Sequence, residues 1–305
     1  MDRLEAMTIL VAAVEAGSLS AAGRKLGVPL PSVSRKIADL EAHLGARLLV
    51  RTTRKLTPTD AGAAYIDACR RLLGEVEETE RAVKGEYTEP RGELTMTAPL
   101  VLGRLHVLPV VTAFLSRFPD ITVRLVLTDR ALDLVEDHVD LAVRISHLPD
   151  SDLVTARLGT VTRVVCGSPD FLAAHGTPRT LSDLAEIPCV TFSDQAAGPA
   201  WHFATPGRKA VQAVRVRSRL QVNTAEAALD AAAAGVGLTQ VLSYQAAPLV
   251  ADGRQVLVLR SFELDPVPVS VVHVGHGRLP LKLRAFLDFA TPRIRASLGA
   301  VAPRA

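Results

Sequence analysis

Hydroxyl and cationic side chains crowd into residues 18–55, SLSAAGRKLGVPLPSVSRKIADLEAHLGARLLVRTTRK, where they alternate with apolar ones at helical spacing. Residues 24–55 carry eight Lys and Arg against two acids, a local excess of six, while the whole chain is only +3. Cations at that density suit phosphates, whose neutralisation releases counterions and supplies most sequence-independent DNA affinity. Short hydroxyls and guanidinium groups on a helix also reach base edges in the major groove. The chemistry implied is recognition of double-stranded DNA rather than bond breaking.

Regular elements must hold these groups. Val33, Ile37, Leu40 and Leu44 step by helical intervals and form one apolar stripe, leaving Ser32, Arg35, Lys36 and Asp39 on the opposite face. Upstream, Ser18 or Ser20 caps a short helix through Leu26, and Gly27 supplies a turn, giving the order helix, Gly turn, helix. A first helix spans residues 3–16, with Leu4, Met7, Val11 and Val14 as its stripe. LLVRTTRKLTP (48–58) reads as a two-stranded wing that exposes Arg51, Thr53, Arg54 and Lys55 to a DNA backbone. Thr57-Pro58-Thr59-Asp60 predicts a helix start with a hydroxyl cap, Pro at the first helical position and an acid in the first turn. That helix runs to about Tyr87. Tyr65, Cys69, Leu72, Val76, Thr79 and Val83 alternate steps of four and three along it, a narrow seam that either pairs with a second copy of the chain or packs on its own domain. Gly74 weakens it locally.

At 305 residues, 48% apolar and 22% charged, the chain has room for two or three domains with sizeable cores. Asp2, Glu5 and Glu15 spoil TILVAAVEA as an export signal, and no uninterrupted apolar run predicts a membrane span, so a cytoplasmic protein is expected. Cys69, Cys166 and Cys189 are odd in number and far apart, which suggests buried reduced thiols and neither a disulfide framework nor a zinc site. No nucleophile elbow, phosphate loop, dinucleotide fingerprint or H-E-x-x-H is present, so no catalytic residue, metal or cofactor is expected. His106, His138, His147 and His202 read as ordinary surface or core residues, and Trp201 and Phe203 as core or rim aromatics.

TEPRGE (88–93) has the composition of a hinge, and strands then alternate with helices. ELTMTA, a helix from about Leu100 to Phe118, ITVRLVL, a short helical piece and DLAVRI form one set. TRVVCG, a helix at 169–175, PCVTF, a strand near 214–222, a helix at 224–234 and VGLTQVL form a second, and VPVSVVHV and a helix from Pro280 to about Ser297 close the chain. Such alternation predicts parallel sheets with crossover helices. Open α/β domains bind ligands at the carboxyl ends of strands, where helix N-termini offer N–H groups. Thr97-Ala98-Pro99-Leu100, ahead of the helix at Val101, and Val222-Asn223-Thr224 are two such points, and together they favour a small organic anion. Arg144 either pairs with that anion or holds Asp129 or Asp140 in a structural ion pair, and Thr191 is a further candidate.

Taken whole, the chain resembles the LysR-type transcriptional regulators. The likeness is densest in SLSAAGRKLGVPLPSVSRKIADLEAHLGARLLVRTTRKLTPTDAGAAY. It continues through TAPLVLGRLHVLPVVTAFLSRFPDI, TDRALDLVEDHVDLAVRI, GTPRTLSDLAEIPCV, NTAEAALDAAAAGVGLTQV and LPLKLRAFLDFA. The resemblance implies a winged helix-turn-helix at 1–58, a dimerising linker helix at 59–87, a hinge at 88–91, and a two-lobed α/β domain like the periplasmic binding proteins. Its first subdomain would take residues 92–162 and 267–305 and its second 163–266, with crossovers near Arg163 and Pro266. Ser18, Pro31, Ser32, Ser34, Arg35, Lys36, Arg51, Thr53 and Arg54 would meet DNA. Thr97, Pro99, Leu100, Val101, Thr128, Arg144, Thr191, Asn223 and Thr224 would line an effector cleft between the lobes. The partners implied are DNA, a small-molecule effector and the chain itself, as a homodimer through the linker helix and a homotetramer. The sequence departs from the family at Pro29-Leu30, where members usually carry Ser-Gln. Leu30 cannot make a bidentate amide contact to adenine, and Pro29 removes a hydroxyl cap. The rival reading is a two-lobed solute-binding protein, against which the basic head stands.

Overall fold

Capped helix starts and left-handed helix ends shape the head in the computed structural model, which describes residues 2–51, 56–83, 89–147, 153–192, 200–205, 210–274 and 279–300. Asp2 caps α1 (Arg3–Glu15) by accepting the Leu4 N–H at 3.0 Å. Ser18 caps α2 (Leu19–Leu26) through the Ala21 N–H at 3.2 Å. Gly27 ends α2 at φ +67° and Gly45 ends α3 (Leu30–Leu44) at φ +64°, a region where a Cβ is strained. No side chain caps α3, because Pro29 occupies its N-cap.

Strands β1 (Leu49–Arg51) and β2 (Leu56–Pro58) pair antiparallel as the wing, and α4 (Asp60–Val83) follows. The start of α4 differs from the expected one. Pro58 belongs to β2, paired with Leu49, and the cap is Thr59, whose Oγ1 accepts the Gly62 N–H at 2.9 Å. Val33, Ile37 and Leu40 are buried as their spacing predicts, whereas Leu44 is exposed. In α1 the buried residues are Ala6, Ile9, Leu10, Ala12 and Ala13; Leu4 lies outside the core, with Met7, Val11 and Val14 at its margin. Cys69 and Ile66 of α4 complete the head core and Tyr65 packs against it, so this part of the seam serves its own domain. Leu72 and Val76 are 47% and 36% exposed; the side chains of Thr79 and Val83 lie outside the described residues, as do Arg54 and Tyr87.

Residues 1–89 and 90–305 form separate compact units. The second begins with β3 (Gly92–Ala98), then α5 (Leu100–Leu102), a π-helical turn at Gly103–Val107, α6 (Leu108–Arg117), β4 (Ile121–Leu127), β5 (Leu141–Ile145) and β6 (Leu153–Val161). The expected single helix thus carries a π turn, in which the Leu108 N–H reaches back to the Gly103 carbonyl. Pro109 follows directly and has no N–H to continue an α ladder, which accounts for the wider turn. This run is apolar enough to cross a membrane, yet Leu102, Val107 and Phe114 bury it in a lobe core. In place of the short helical piece expected between β4 and β5, turns occupy 134–138.

A second lobe follows: β7 (Arg163–Gly167), α7 (Pro169–His175), β8 (Pro188–Phe192), β9 (Ala200–Ala204), β10 (Val211–Arg215), β11 (Arg217–Val222), α8 (Ala225–Ala233), β12 (Leu238–Leu242), α9 (Ser243–Ala251) and β13 (Val256–Val258). The chain then returns to the first lobe as β14 (Val267–Val274) and α10 (Leu281–Gly299). The sheets run β4-β3-β5-β14-β6 and β11-β8-β12-β7-β13, with β9 and β10 as a separate hairpin. Both are mixed rather than parallel: β14 is antiparallel to β5 and β6, and β7 to β12 and β13. The reversed strand in each sheet is the one entered from the other lobe. Only Thr162 separates β6 from β7, so the chain runs nearly straight from one sheet into the next and arrives without a crossover helix. Phe114 anchors the first lobe, with Phe118, Phe286 and Phe289 around it at centroid distances of 4.7–5.5 Å.

Candidate DNA interface and effector seam

In the head, α3 follows α2 across the Gly27 turn and is seated by Val33, Ile37 and Leu40. Pro31 and Arg35 are exposed and Ser32, Ser34 and Lys36 half-buried on the face away from that core. Leu30, at the tip, is 48% exposed. Not every cation is presented equally. The Lys36 ammonium pairs with Glu5 of α1, and Lys25 pairs with Glu15 at 3.1 Å, whereas Arg24, Arg35 and Arg47 point to solvent. The Arg51 backbone lies in β1; Thr53 is outside the described residues. Ser18 serves as the α2 cap, which fixes the approach of α2 to α3.

One head residue escaped the sequence reading. Glu41, an acid inside the basic stretch, accepts the Leu48 and Leu49 N–H groups at 2.8 and 3.0 Å and so ties α3 to the start of the wing. Its spacing from Leu48 carries no local signal.

In the second unit, Thr97, Pro99, Leu100 and Thr128 gather around the start of α5. The Thr128 N–H donates to the Ala98 carbonyl at 3.0 Å, and the Thr97 hydroxyl donates to the Val126 carbonyl. Val101 is buried in the lobe core. Asn223 is exposed, and Thr224 caps α8 by accepting the Ala227 N–H at 3.2 Å. Thr191 sits beside Gln221 on the neighbouring strand, with its hydroxyl 2.7 Å from that of Ser218. Trp201 and Phe203 are core residues of the second lobe.

At each helix start one N–H is already engaged within the protein. Asp129 Oδ1 accepts the Leu100 N–H at 3.1 Å. The Tyr244 hydroxyl, which arrives from the other lobe, accepts from Gln245 Nε2 at 3.3 Å. Arg144 makes neither expected ion pair; it donates to the Leu132 carbonyl at 2.6 Å, while Asp140 Oδ2 accepts the Thr95 N–H at 2.7 Å.

Tyr244 and two charged residues that the sequence did not single out join the lobes. Tyr244 is 3% exposed and belongs to the core of the first lobe although it begins α9 of the second. Burial, with the carboxylates of Asp129 and Glu226 nearby, pushes its phenol above the ordinary tyrosine range. Arg104, in the π turn, pairs with Glu226 in the first turn of α8, and the Ser243 hydroxyl accepts the Thr162 N–H at 3.2 Å.

His106 stands edge-on to Tyr244 at 5.7 Å, with Nδ1 2.8 Å from Ser297 Oγ and a buried Nε2 that has no partner among the described residues. Burial lowers its pKa, so the folded protein refuses a proton that the unfolded chain accepts below about 6.5. The stabilisation is therefore present above that pH and lost as pH falls. The free energy of unfolding measured from pH 7 down to 5 is expected to fall more steeply for the native chain than for His106→Asn, by at most about 1.4 kcal/mol per pH unit for one proton. Equal slopes would refute this. Cys166 and Cys189 are buried, their thiols pushed up to about 12, which leaves them unreactive.

A helix-turn-helix head with a wing, followed by a two-lobed α/β body, is the build of a DNA-binding transcriptional regulator with an effector domain. The family profile "Bacterial regulatory helix-turn-helix protein, lysR family" matches residues 4–63, and "LysR substrate binding domain" matches residues 88–295. The chain belongs to the LysR family. A transcriptional repressor of Pseudomonas aeruginosa is 33% identical over 292 residues, 95% of this chain and 91% of that protein. The structure of CrgA, a LysR-type regulator from Neisseria meningitidis, is similar at 29% identity and TM-score 0.60, covering 95% of this chain and 98% of that one. The Vibrio cholerae virulence activator AphB gives 26% and 0.59, covering 94% and 98%.

Proposed function

We propose that residues 1–58 dock α3 in the major groove, with Pro31, Ser32, Ser34 and Arg35 toward base edges, and that Lys36, Arg51, Thr53 and Arg54 hold the phosphate backbone. The observation that carries this reading is the exposed Arg35 on a helix whose opposite stripe is locked in the head core. Residues 59–87 then pair two copies, using the exposed Leu72 and Val76 of α4, and two such dimers make the tetramer. Residues 92–162 with 267–305, and 163–266, form the two lobes of a sensor for a small organic anion at the seam that Thr97, Pro99, Leu100, Thr128, Asn223 and Thr224 surround. The protein acts in the cytoplasm as a regulator and not as an enzyme or an exported solute carrier.

A mobility-shift assay on the intergenic DNA beside the gene tests the head. Retardation at low salt is expected, and its failure with every such fragment overturns the reading. Arg35→Ala is expected to cost about 1–3 kcal/mol on the matched operator and to relax specificity, whereas Arg54→Ala should weaken all sequences alike and reduce the salt slope by about 1. Equal effects on matched and scrambled operators would refute that division.

A further inference from the structure

Most donors at the interlobe seam are already engaged within the protein. Leu100 gives its N–H to Asp129 and Ala227 to Thr224, and Arg144 is bonded to the Leu132 carbonyl. Arg104 differs in having a carboxylate as partner, and that carboxylate comes from the opposite lobe. Both side chains reach solvent, at 53% exposure for Arg104 and 36% for Glu226. A guanidinium presents a planar fork that another carboxylate fits as well as Glu226 does. An ion pair this exposed is weak, favouring the paired state by about fivefold at most. Glu226, once released, remains in the first turn of α8, where the helix dipole favours a negative charge. Exchange of one carboxylate for the other therefore costs little, yet it removes an ionic tie between the lobes.

We propose that Arg104 is the anion receptor of the seam and Glu226 its built-in competitor, so that a carboxylate-bearing small molecule binds by displacing Glu226 and thereby breaks this ionic tie between the lobes. This rests on the reading of residues 92–305 as a sensor. It places recognition and response in the same pair, since the group that binds the ligand is one end of an ionic tie between the lobes.

Calorimetric titration of the full chain with succinate at constant ionic strength tests it. Glu226→Gln is expected to bind succinate up to about fivefold more tightly than the native chain, the factor by which the internal pair competes. Arg104→Gln should show no saturable binding. The double variant Arg104→Gln/Glu226→Gln keeps the native net charge and should also fail to bind, which separates a receptor from a general gain of positive charge. Circular dichroism confirms that each variant is folded. Native-like binding by Arg104→Gln, unchanged or absent binding by Glu226→Gln, or tight binding by the double variant would each overturn the proposal. Mobility shifts without succinate read the regulator assignment separately: a variant that retards DNA normally but violates these expectations counts against Arg104 alone.

Discussion

Gly62→Ala is expected to destabilise the head by about 3 kcal/mol, the upper end of the usual cost of overpacking, while Gly74→Ala in the same helix should stabilise it by about 0.5–1 kcal/mol. A Cβ on Gly62 would lie 1.9 Å from the Leu48 carbonyl oxygen and 2.8 Å from its carbon, both main-chain atoms. That backbone cannot simply retreat. The Leu48 carbonyl accepts the Thr59 N–H at 2.9 Å, and the Leu48 N–H is held by Glu41. Relief of the clash would break the α4 cap region or detach the wing from α3. Gly74 has nothing within 4 Å of its missing Cβ and lies on an exposed face of α4. Calorimetry of the full chain, with operator affinity as the head-specific readout, checks both. A Gly62→Ala protein that melts and binds DNA as the native chain does would sink the argument.

The same contrast shows what the sequence could and could not disclose. Val33, Ile37 and Leu40 were legible because α3 carries charged and hydroxyl residues on its other side, so periodicity selects one face. In α1 nearly every position is apolar or small, and the choice of Ile9 and Leu10 over Leu4 is made by α3 and α4, not by local pattern. Thr57 and Thr59 both precede the α4 start, and only the pairing of Pro58 with Leu49 reveals which one caps it. The family and the two-lobed layout were legible in the chain, but strand direction was not. It follows from the near-continuous passage of β6 into β7 at Thr162, a constraint of three-dimensional connection. The partner of one helix-start N–H was not legible for a related reason: Asp129, which accepts from Leu100, lies far along the chain. Arg104 and Glu226 are separated by more than a hundred residues and meet only after both lobes have formed.

Tyr244→Ala should cost about 3–5 kcal/mol in the body, on the scale of large aromatic truncations in a core, and should also divide its unfolding into two transitions. The side chain belongs by sequence to the second lobe and by packing to the core of the first, with Val101, Leu102 and Val107 in the same cluster. Its removal takes away the edge contact to His106 and the acceptor of the Gln245 side-chain amide. Few other ties are available at that point: the Arg104 and Glu226 pair is exposed and weak, and the Ser243 to Thr162 hydrogen bond is worth about 1 kcal/mol. Tyr244→Phe keeps the ring and removes only the hydroxyl that accepts from Gln245, so it should cost about 1 kcal/mol and keep the lobes cooperative. Hydrogen exchange adds a local test, since amides of β8 and β12 should lose protection in the Ala variant and not in the Phe variant. The physical point is that one buried ring, rather than the surface charges around it, makes the two lobes a single folding unit. If the Ala variant unfolds in one transition at the native temperature, cooperativity resides in the crossover strands instead.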